Sequence, residues 1–335
     1  MNSASSPNPA LIFGTLHAFQ ESAALKAAID LGVFSAIAEG AGTAGEIAAA
    51  CGASERGIRI LCDSLVSTGL LEKTGVSYSN GIDAGVFLVK GSPAYLGGTS
   101  EFLCMPEMVN AAIMGTADCV RKGGTMLPGQ GTVDPENPVW VRFAEVMAPL
   151  MIPAAMAIAA QLPAAGPLKV LDIAAGHGLF GITIAKKNPE AQIVALDWRA
   201  VLDVAKRNAA AAGVADRYST IEGSAFDVDF GNGHDVVLIT NFLHHFSAAT
   251  NEGILRKAHA ALKPGGRAIT LEFVPDDSRV SPPPAARFAM TMLTSTQEGD
   301  AYTFTELEAM ARNAGFSESR HIPLEAGQSV IISTK

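Results

Sequence analysis

Seven short apolar runs in the second half of the chain read as β-strands, at residues 169–174, 192–197, 217–223, 235–241, 267–274, 319–324 and 329–334. Helix-like stretches separate the first five. That is the spacing of βαβ crossovers, and it predicts a parallel sheet. Only Glu325-Ala-Gly-Gln328 joins the last two. A parallel return needs about a dozen residues or more, so this pair must be antiparallel. The expected fold class is α/β, with a seven-stranded sheet that is parallel except for an antiparallel last strand.

The first half has a different pattern. Apolar residues at helical spacing run over 11–30. Thr43-Ala-Gly-Glu46 is a capping box that opens a short helix, which Gly52 ends. Ser54 is the expected N-cap of a further helix reaching about Thr68, with Ile58, Leu61, Leu65 and Val66 on one stripe. A polar turn and Val76-Ser77-Tyr78 then read as a β-wing. Helix, turn, helix and wing make a winged-helix-like signature. Such a module binds DNA or serves as a scaffold. Residues 1–100 hold five Lys/Arg against eight Asp/Glu, a net of 5 − 8 = −3, which is the wrong sign for wrapping phosphates. We therefore read 1–100 as a mainly helical dimerisation domain, 101–166 as a helical linker contributing to a substrate pocket, and 167–335 as the ligand-binding domain.

Composition narrows the class further. Apolar residues are 48% of the chain, enough for a full core, and the net charge of −9 argues against a nucleic-acid partner. Cys51, Cys62, Cys104 and Cys119 form no C-x-x-C pair, so neither a metal site nor a disulfide scaffold is expected. The start of the chain has no signal-peptide pattern, and prolines interrupt the most membrane-like stretch, 149–168. These features predict a cytoplasmic protein with no membrane partner.

The chemistry-bearing segments all fall at strand ends. Val170-Leu-Asp-Ile-Ala-Ala-Gly-His-Gly178 is a strand closing on Asp172, then a small-residue turn through Gly176 and Gly178 that opens a helix. An acid beside a G-x-G turn disfavours a pyrophosphate and favours a ligand with a positive amino group. Asp197 ends the second strand, where a carboxylate can accept both hydroxyls of a ribose, and Trp198 can cover an adenine. Ser224, Ala225 and Phe226 end the third strand and can flank the same base. The fourth ends in Thr240-Asn-Phe-Leu-His-His-Phe246, which adds Asn241 to the cofactor side and brings two histidines, His244 and His245. Consecutive strand residues point to opposite faces, so one of the two should face the cleft. Glu272 closes the fifth strand, where an acid can orient a histidine.

These segments resemble the class I S-adenosylmethionine-dependent methyltransferases. More narrowly, the chain is similar to the O-methyltransferase family of caffeic acid, acetylserotonin and bacterial hydroxyneurosporene methyltransferases. The resemblance rests on 171–178, Leu243-His244 with an aromatic two residues on, Leu262-Lys-Pro-Gly-Gly-Arg267, and Tyr302-Thr-Phe-Thr-Glu306 before Ala314-Gly-Phe316. It implies a Rossmann-like seven-stranded methyltransferase sheet, S-adenosyl-L-methionine as cofactor and a homodimer. The family's catalytic histidine falls on His244, and its first supporting glutamate falls on Glu272. Its second falls on Ala301, with Asp300 as the neighbouring acid. By position in the family, Phe143, Met147, His245, Met290 and Leu293 are the expected substrate pocket. The reading that follows is methyl transfer to a hydroxyl of a small aromatic secondary metabolite. The alternatives are N- or C-methylation on the same fold, a cofactor-sensing DNA-binding regulator, and a nicotinamide dehydrogenase.

Overall fold

The computed structural model describes residues 7–335, and the chain divides into two compact units, one ending at Ser100 and the other running from Glu101 to Lys335. The stretch expected as a linker, 101–166, belongs to the second unit.

The first unit opens on helix Ala10–Leu31, which stops at Gly32 in the left-handed conformation (φ 76°). Helices Val33–Ala38, Ala44–Cys51 and Glu55–Ser67 follow. The capping box is present: Glu46 accepts the Thr43 N–H at 2.8 Å while Thr43 Oγ1 accepts the Glu46 N–H at 3.3 Å. Ser54 caps the next helix through the Gly57 N–H at 3.1 Å. The stripe of that helix turns inward, burying Ile58, Cys62 and Leu65 with Phe34 and Ile47. A hairpin of β1 (Leu71–Thr74) and β2 (Ser77–Asn80) completes the helix–turn–helix–hairpin order. One apolar face is left open: Leu11, Ile12, Phe13, Leu16 and Phe19 are each at least 53% exposed.

The second unit is built on a seven-stranded sheet of β3 (Leu168–Ile173), β4 (Ala191–Asp197), β5 (Tyr218–Glu222), β6 (His234–Thr240), β7 (Leu262–Phe273), β8 (Glu318–Pro323) and β9 (Gln328–Thr334). Their order is β5-β4-β3-β6-β7-β9-β8. Because β9 pairs antiparallel with both β7 and β8, it alone runs against the other six. The strand β7 starts five residues before its sequence-predicted start, because the irregular pairing between β6 and β7 already engages His234 with Leu262.

The central strands are apolar on both faces, as a sheet covered by helices requires. Val170, Leu238 and Ile269 pack into one layer, with residues of helices Ala148–Ala160, Leu179–Lys187 and Arg199–Ala211. Leu171, Ile173, Val237 and Ile239 pack into the other, with helices Ala248–Ala261 and Phe304–Asn313. Among the described residues, no single helix is long and apolar enough to cross a membrane.

Candidate active site

Strand order reverses between β3 and β6, and in open α/β sheets the ligand crevice lies at the carboxyl ends of the strands at that point. Both strands leave the sheet through backbone that L-residues rarely adopt: Ala174 has φ 51° and Asn241 has φ 52°. Strain of this kind concentrates at functional sites.

After β3 the chain turns through Gly176 (φ 55°) and Gly178 (φ 74°) into helix Leu179–Lys187. A Cβ on Gly178 would lie 2.6 Å from the Tyr218 hydroxyl, so glycine is required there. Asp172 is fully buried. One of its oxygens accepts the Gly181 N–H at 3.2 Å and the other has no partner. Burial pushes its carboxyl up to about 7, against the opposing Gly181 hydrogen bond. Asp172 thus ties the first turn of the helix to β3 from beneath.

Asp197, at the end of β4, accepts the N–H groups of Gly176 (2.8 Å) and Trp198 (2.7 Å). Burial raises it to about 6, and those two hydrogen bonds oppose the rise. It therefore ties the glycine turn after β3 to the end of β4.

Past β5, Ser224 Oγ accepts the Phe226 N–H at 3.1 Å, Ala225 is buried, and the half-exposed Phe226 ring packs on Phe242 and Phe246. Lys257, on helix Ala248–Ala261, clamps this turn. It donates to the carbonyls of Ala225, Phe226 and Val228 at 2.7, 2.9 and 3.0 Å.

Beyond β6, Asn241 joins the network through Met151 Sδ and Gln328. The two histidines follow in a 3-10 turn, Leu243–His245, and not in a strand. The expectation that they face opposite ways therefore fails. Their rings lie side by side, 4.1 Å between centroids at 36°. One oxygen of Glu272 accepts the N–H groups of Phe242 (3.0 Å) and Leu243 (2.8 Å), and the other pairs with His244 Nδ1. Histidine and glutamate are 5% and 2% exposed. This pairing leaves His244 Nε2 as the nitrogen open to a further partner. His245 Nδ1 lies 3.2 Å from the Phe242 carbonyl, and burial, then the neighbouring His244, hold its pKa well below the usual imidazole range.

Aromatic contacts link the two ends of the site. Trp140 meets His245 edge-on at 5.1 Å and Phe143 at 5.9 Å, and Phe143 stacks on His177 at 5.9 Å and 16°. On the far side Phe288 meets His244 edge-on at 4.8 Å. Phe143 and His245 belong to this wall, and Met147 is buried in the core that Phe143 packs against. Met290 and Leu293 line a groove of about 410 Å³ with Gly123, Gly124, Ser247, Ala248 and Asp300, and the Asp300 N–H donates to the His244 carbonyl at 3.0 Å. The ring of Phe288, on helix Pro283–Ser295, is the aromatic side chain that meets His244 from this helix. The Asp300 side chain pairs with Arg279 at 3.1 Å, so among the described residues Glu272 is the carboxylate that holds the ring.

The family model of the O-methyltransferase domain matches residues 143–317, and that of the O-methyltransferase dimerisation domain matches 13–90. The chain belongs to the O-methyltransferase family. It is 30% identical to 3-hydroxy-5-methyl-1-naphthoate 3-O-methyltransferase of Streptomyces sahachiroi over 304 residues, 89% of this chain and 86% of that one. It shares 48% identity and a TM-score of 0.95 with the crystal structure of a Nostoc punctiforme protein described as an O-methyltransferase, covering 98% of this chain and 100% of that one. Human N-acetylserotonin methyltransferase, solved in complex with S-adenosylmethionine, has the same fold at 21% identity (TM-score 0.86, covering 100% and 99%). This O-methyltransferase is an S-adenosylmethionine-dependent enzyme with a dimerisation domain ahead of its catalytic sheet.

Proposed function

We propose that this O-methyltransferase methylates a hydroxyl of a small, flat aromatic metabolite, with His244 as general base and Glu272 as the residue that positions it. The buried His244–Glu272 pair carries the reading. A carboxylate on Nδ1 fixes the ring as the tautomer with a basic Nε2, which is the nitrogen needed to accept a hydroxyl proton. The aromatic wall of Trp140, Phe143, His245 and Phe288 suits a planar acceptor. The Streptomyces relative is named for a hydroxynaphthoate, an acceptor of that shape.

The cofactor side is equally suited to its task. Gly176 has room above it, the nearest atom to an added Cβ being 3.8 Å away, and Asp197, Trp198 and the Ser224–Phe226 turn, which follow the carboxyl ends of neighbouring strands, suit a ribose and an adenine. S-adenosylmethionine supplies a reactive methyl group, so the chain has to orient, exclude water and manage one proton. An ordinary imidazole is too weak to ionise a phenol in advance. His244 Nε2 therefore takes the proton while the new O–CH₃ bond forms and the S–CH₃ bond breaks. His244→Ala should lower turnover about 10²-fold or more, with S-adenosylhomocysteine affinity retained in calorimetry. Unchanged turnover would remove His244 from the mechanism.

The open apolar face of Leu11, Phe13, Leu16 and Phe19 in the dimerisation domain supports a homodimer as the working form.

A further inference from the structure

The turn that carries His244 is held by its main chain as well as by Glu272. Asn251, buried on helix Ala248–Ala261, donates to the carbonyls of Leu243 at 2.8 Å and Phe246 at 3.3 Å. The His244 carbonyl accepts the Asp300 N–H at 3.0 Å. The Phe246 carbonyl also accepts the Tyr302 hydroxyl at 2.6 Å. A Cβ on Gly299 would collide with the His244 carbonyl oxygen, so the 299–302 segment runs directly against the turn. Any shift of that segment is passed to the backbone of His244.

Arg279 fixes the segment from outside. Its guanidinium donates to the Asp300 carboxylate at 3.1 Å, to the Ala301 carbonyl at 3.2 Å and to the Glu306 carboxylate. The other Asp300 oxygen accepts the Ala301 N–H at 2.8 Å, and the other Glu306 oxygen accepts the Thr303 N–H at 2.9 Å in the capping box of helix Phe304–Asn313. One planar fork thus ties both ends of the stretch 300–306. Arg279 itself lies on the loop after β7, seven residues past Glu272, with φ 62° and its N–H on the Asp276 carbonyl at 2.8 Å. A non-glycine residue keeps such a backbone only where the surrounding structure over-determines it. The strand β7 and its loop therefore reach His244 twice. Glu272 takes the ring, and Arg279 takes the main chain through Asp300.

We propose that Arg279 is a positioning residue for His244. Paired with Asp300 and Glu306, it holds the 299–302 segment against the turn, so that the ring meets Glu272 and the acceptor hydroxyl in one geometry. This inference rests on the reading of His244 as the general base that Glu272 orients. A base has to lie within hydrogen-bond reach of the proton it takes, and a misplacement of about 1 Å is enough to slow a reaction strongly.

Proton NMR on the full chain tests it. The Nδ1 proton of a histidine held by a carboxylate resonates far downfield, and that of His244 is identified by its absence from His244→Gln. The Arg279 and Asp300 side chains are 41% and 40% exposed, so water weakens the pair and a moderate effect is expected. In Arg279→Gln the exchange of the His244 Nδ1 proton with water should quicken about fivefold or more, while the backbone amides of β3 and β6 keep their rates. Asp300→Asn breaks the same pair from the other side and should quicken the same proton. The double variant should exchange no faster than Arg279→Gln alone, because the two changes remove one interaction. An unchanged rate in Arg279→Gln would overturn the proposal, as would effects that multiply in the double variant. Equal quickening of the β3 and β6 amides would make Arg279 a residue of general stability and overturn it too. Absence of the downfield proton from the unmodified protein would instead overturn the His244–Glu272 reading on which it rests.

Discussion

Gly176 and Gly178 lie two residues apart in one turn, both in the left-handed region, yet their surroundings predict different outcomes for the same substitution. Alanine at either position has to adopt a backbone that costs an L-residue about 1–2 kcal/mol. At Gly176 that is the whole cost, since the nearest atom to the new Cβ is on the Phe143 ring, 3.8 Å away. At Gly178 the Cβ would meet the Tyr218 hydroxyl at 2.6 Å and the Ala205 methyl at 3.1 Å. Overpacking of that kind adds about 1–3 kcal/mol. Gly178→Ala should therefore destabilise by about 2–5 kcal/mol, and Gly176→Ala by no more than about 2. The clash can be separated from the strain, because the Tyr218 hydroxyl has no hydrogen-bond partner. Tyr218→Phe alone should cost little, and in the Gly178→Ala background it should return part of the loss. Urea titration followed by circular dichroism reads these differences, taken on the transition that added S-adenosylhomocysteine shifts, since that transition belongs to the catalytic unit. If Gly176→Ala proved as damaging as Gly178→Ala, or if Tyr218→Phe rescued nothing, the steric reasoning would be refuted.

Three further outcomes are expected. The Asp172 carboxyl is raised from its ordinary 3.8 to about 7 in the folded chain, so the fold holds its proton more tightly than the unfolded chain does. Stability from this group is fullest below the unfolded value and is lost as pH rises toward 7, so Asp172→Asn should gain on the wild type between pH 5 and pH 8 in parallel urea titrations; a pH-independent difference would contradict this. Lys257→Met removes the clamp on three carbonyls of the 224–228 turn and should raise the S-adenosylhomocysteine dissociation constant about fivefold or more in calorimetry, with Lys257→Arg intermediate; unaltered affinity would show that the turn holds itself. Leu16→Glu with Phe19→Glu places charges on the open face of the first helix and should shift the particle toward a monomer in sedimentation equilibrium; an unchanged mass would put the dimer contact elsewhere.

The elements that could be read from residues alone were those with a local cause. Thr43 and Glu46 make a capping box in any context, and the four-residue link at 325–328 permits only an antiparallel return. Glu272 was legible from its place at the end of a strand on the ligand edge of the sheet, and it holds His244. What the sequence did not reveal depends on packing between distant segments. Insertion of β9 between β7 and β8 is a matter of strand order, which leaves no periodic trace. The side-by-side placement of His244 and His245 required knowing that the strand stops at Thr240 and the chain tightens into a 3-10 turn. Phe288 meets His244 through the rotation of helix Pro283–Ser295, which the residue pattern does not fix. Lys257 looked like any surface lysine until the carbonyls it gathers, some thirty residues earlier, were in place.

The aromatic wall has one more consequence. The chain has only two tryptophans, and both pack on the same small cluster of Ala144, Val201 and Val204. Trp140 also lies edge-on to His245, and Trp198 directly follows Asp197. Intrinsic fluorescence is therefore concentrated at the seam between helices Val139–Val146 and Arg199–Ala211. Trp140→Phe and Trp198→Phe would each leave a single emitter at that seam, and ligand binding there could be timed by stopped flow without attaching any dye.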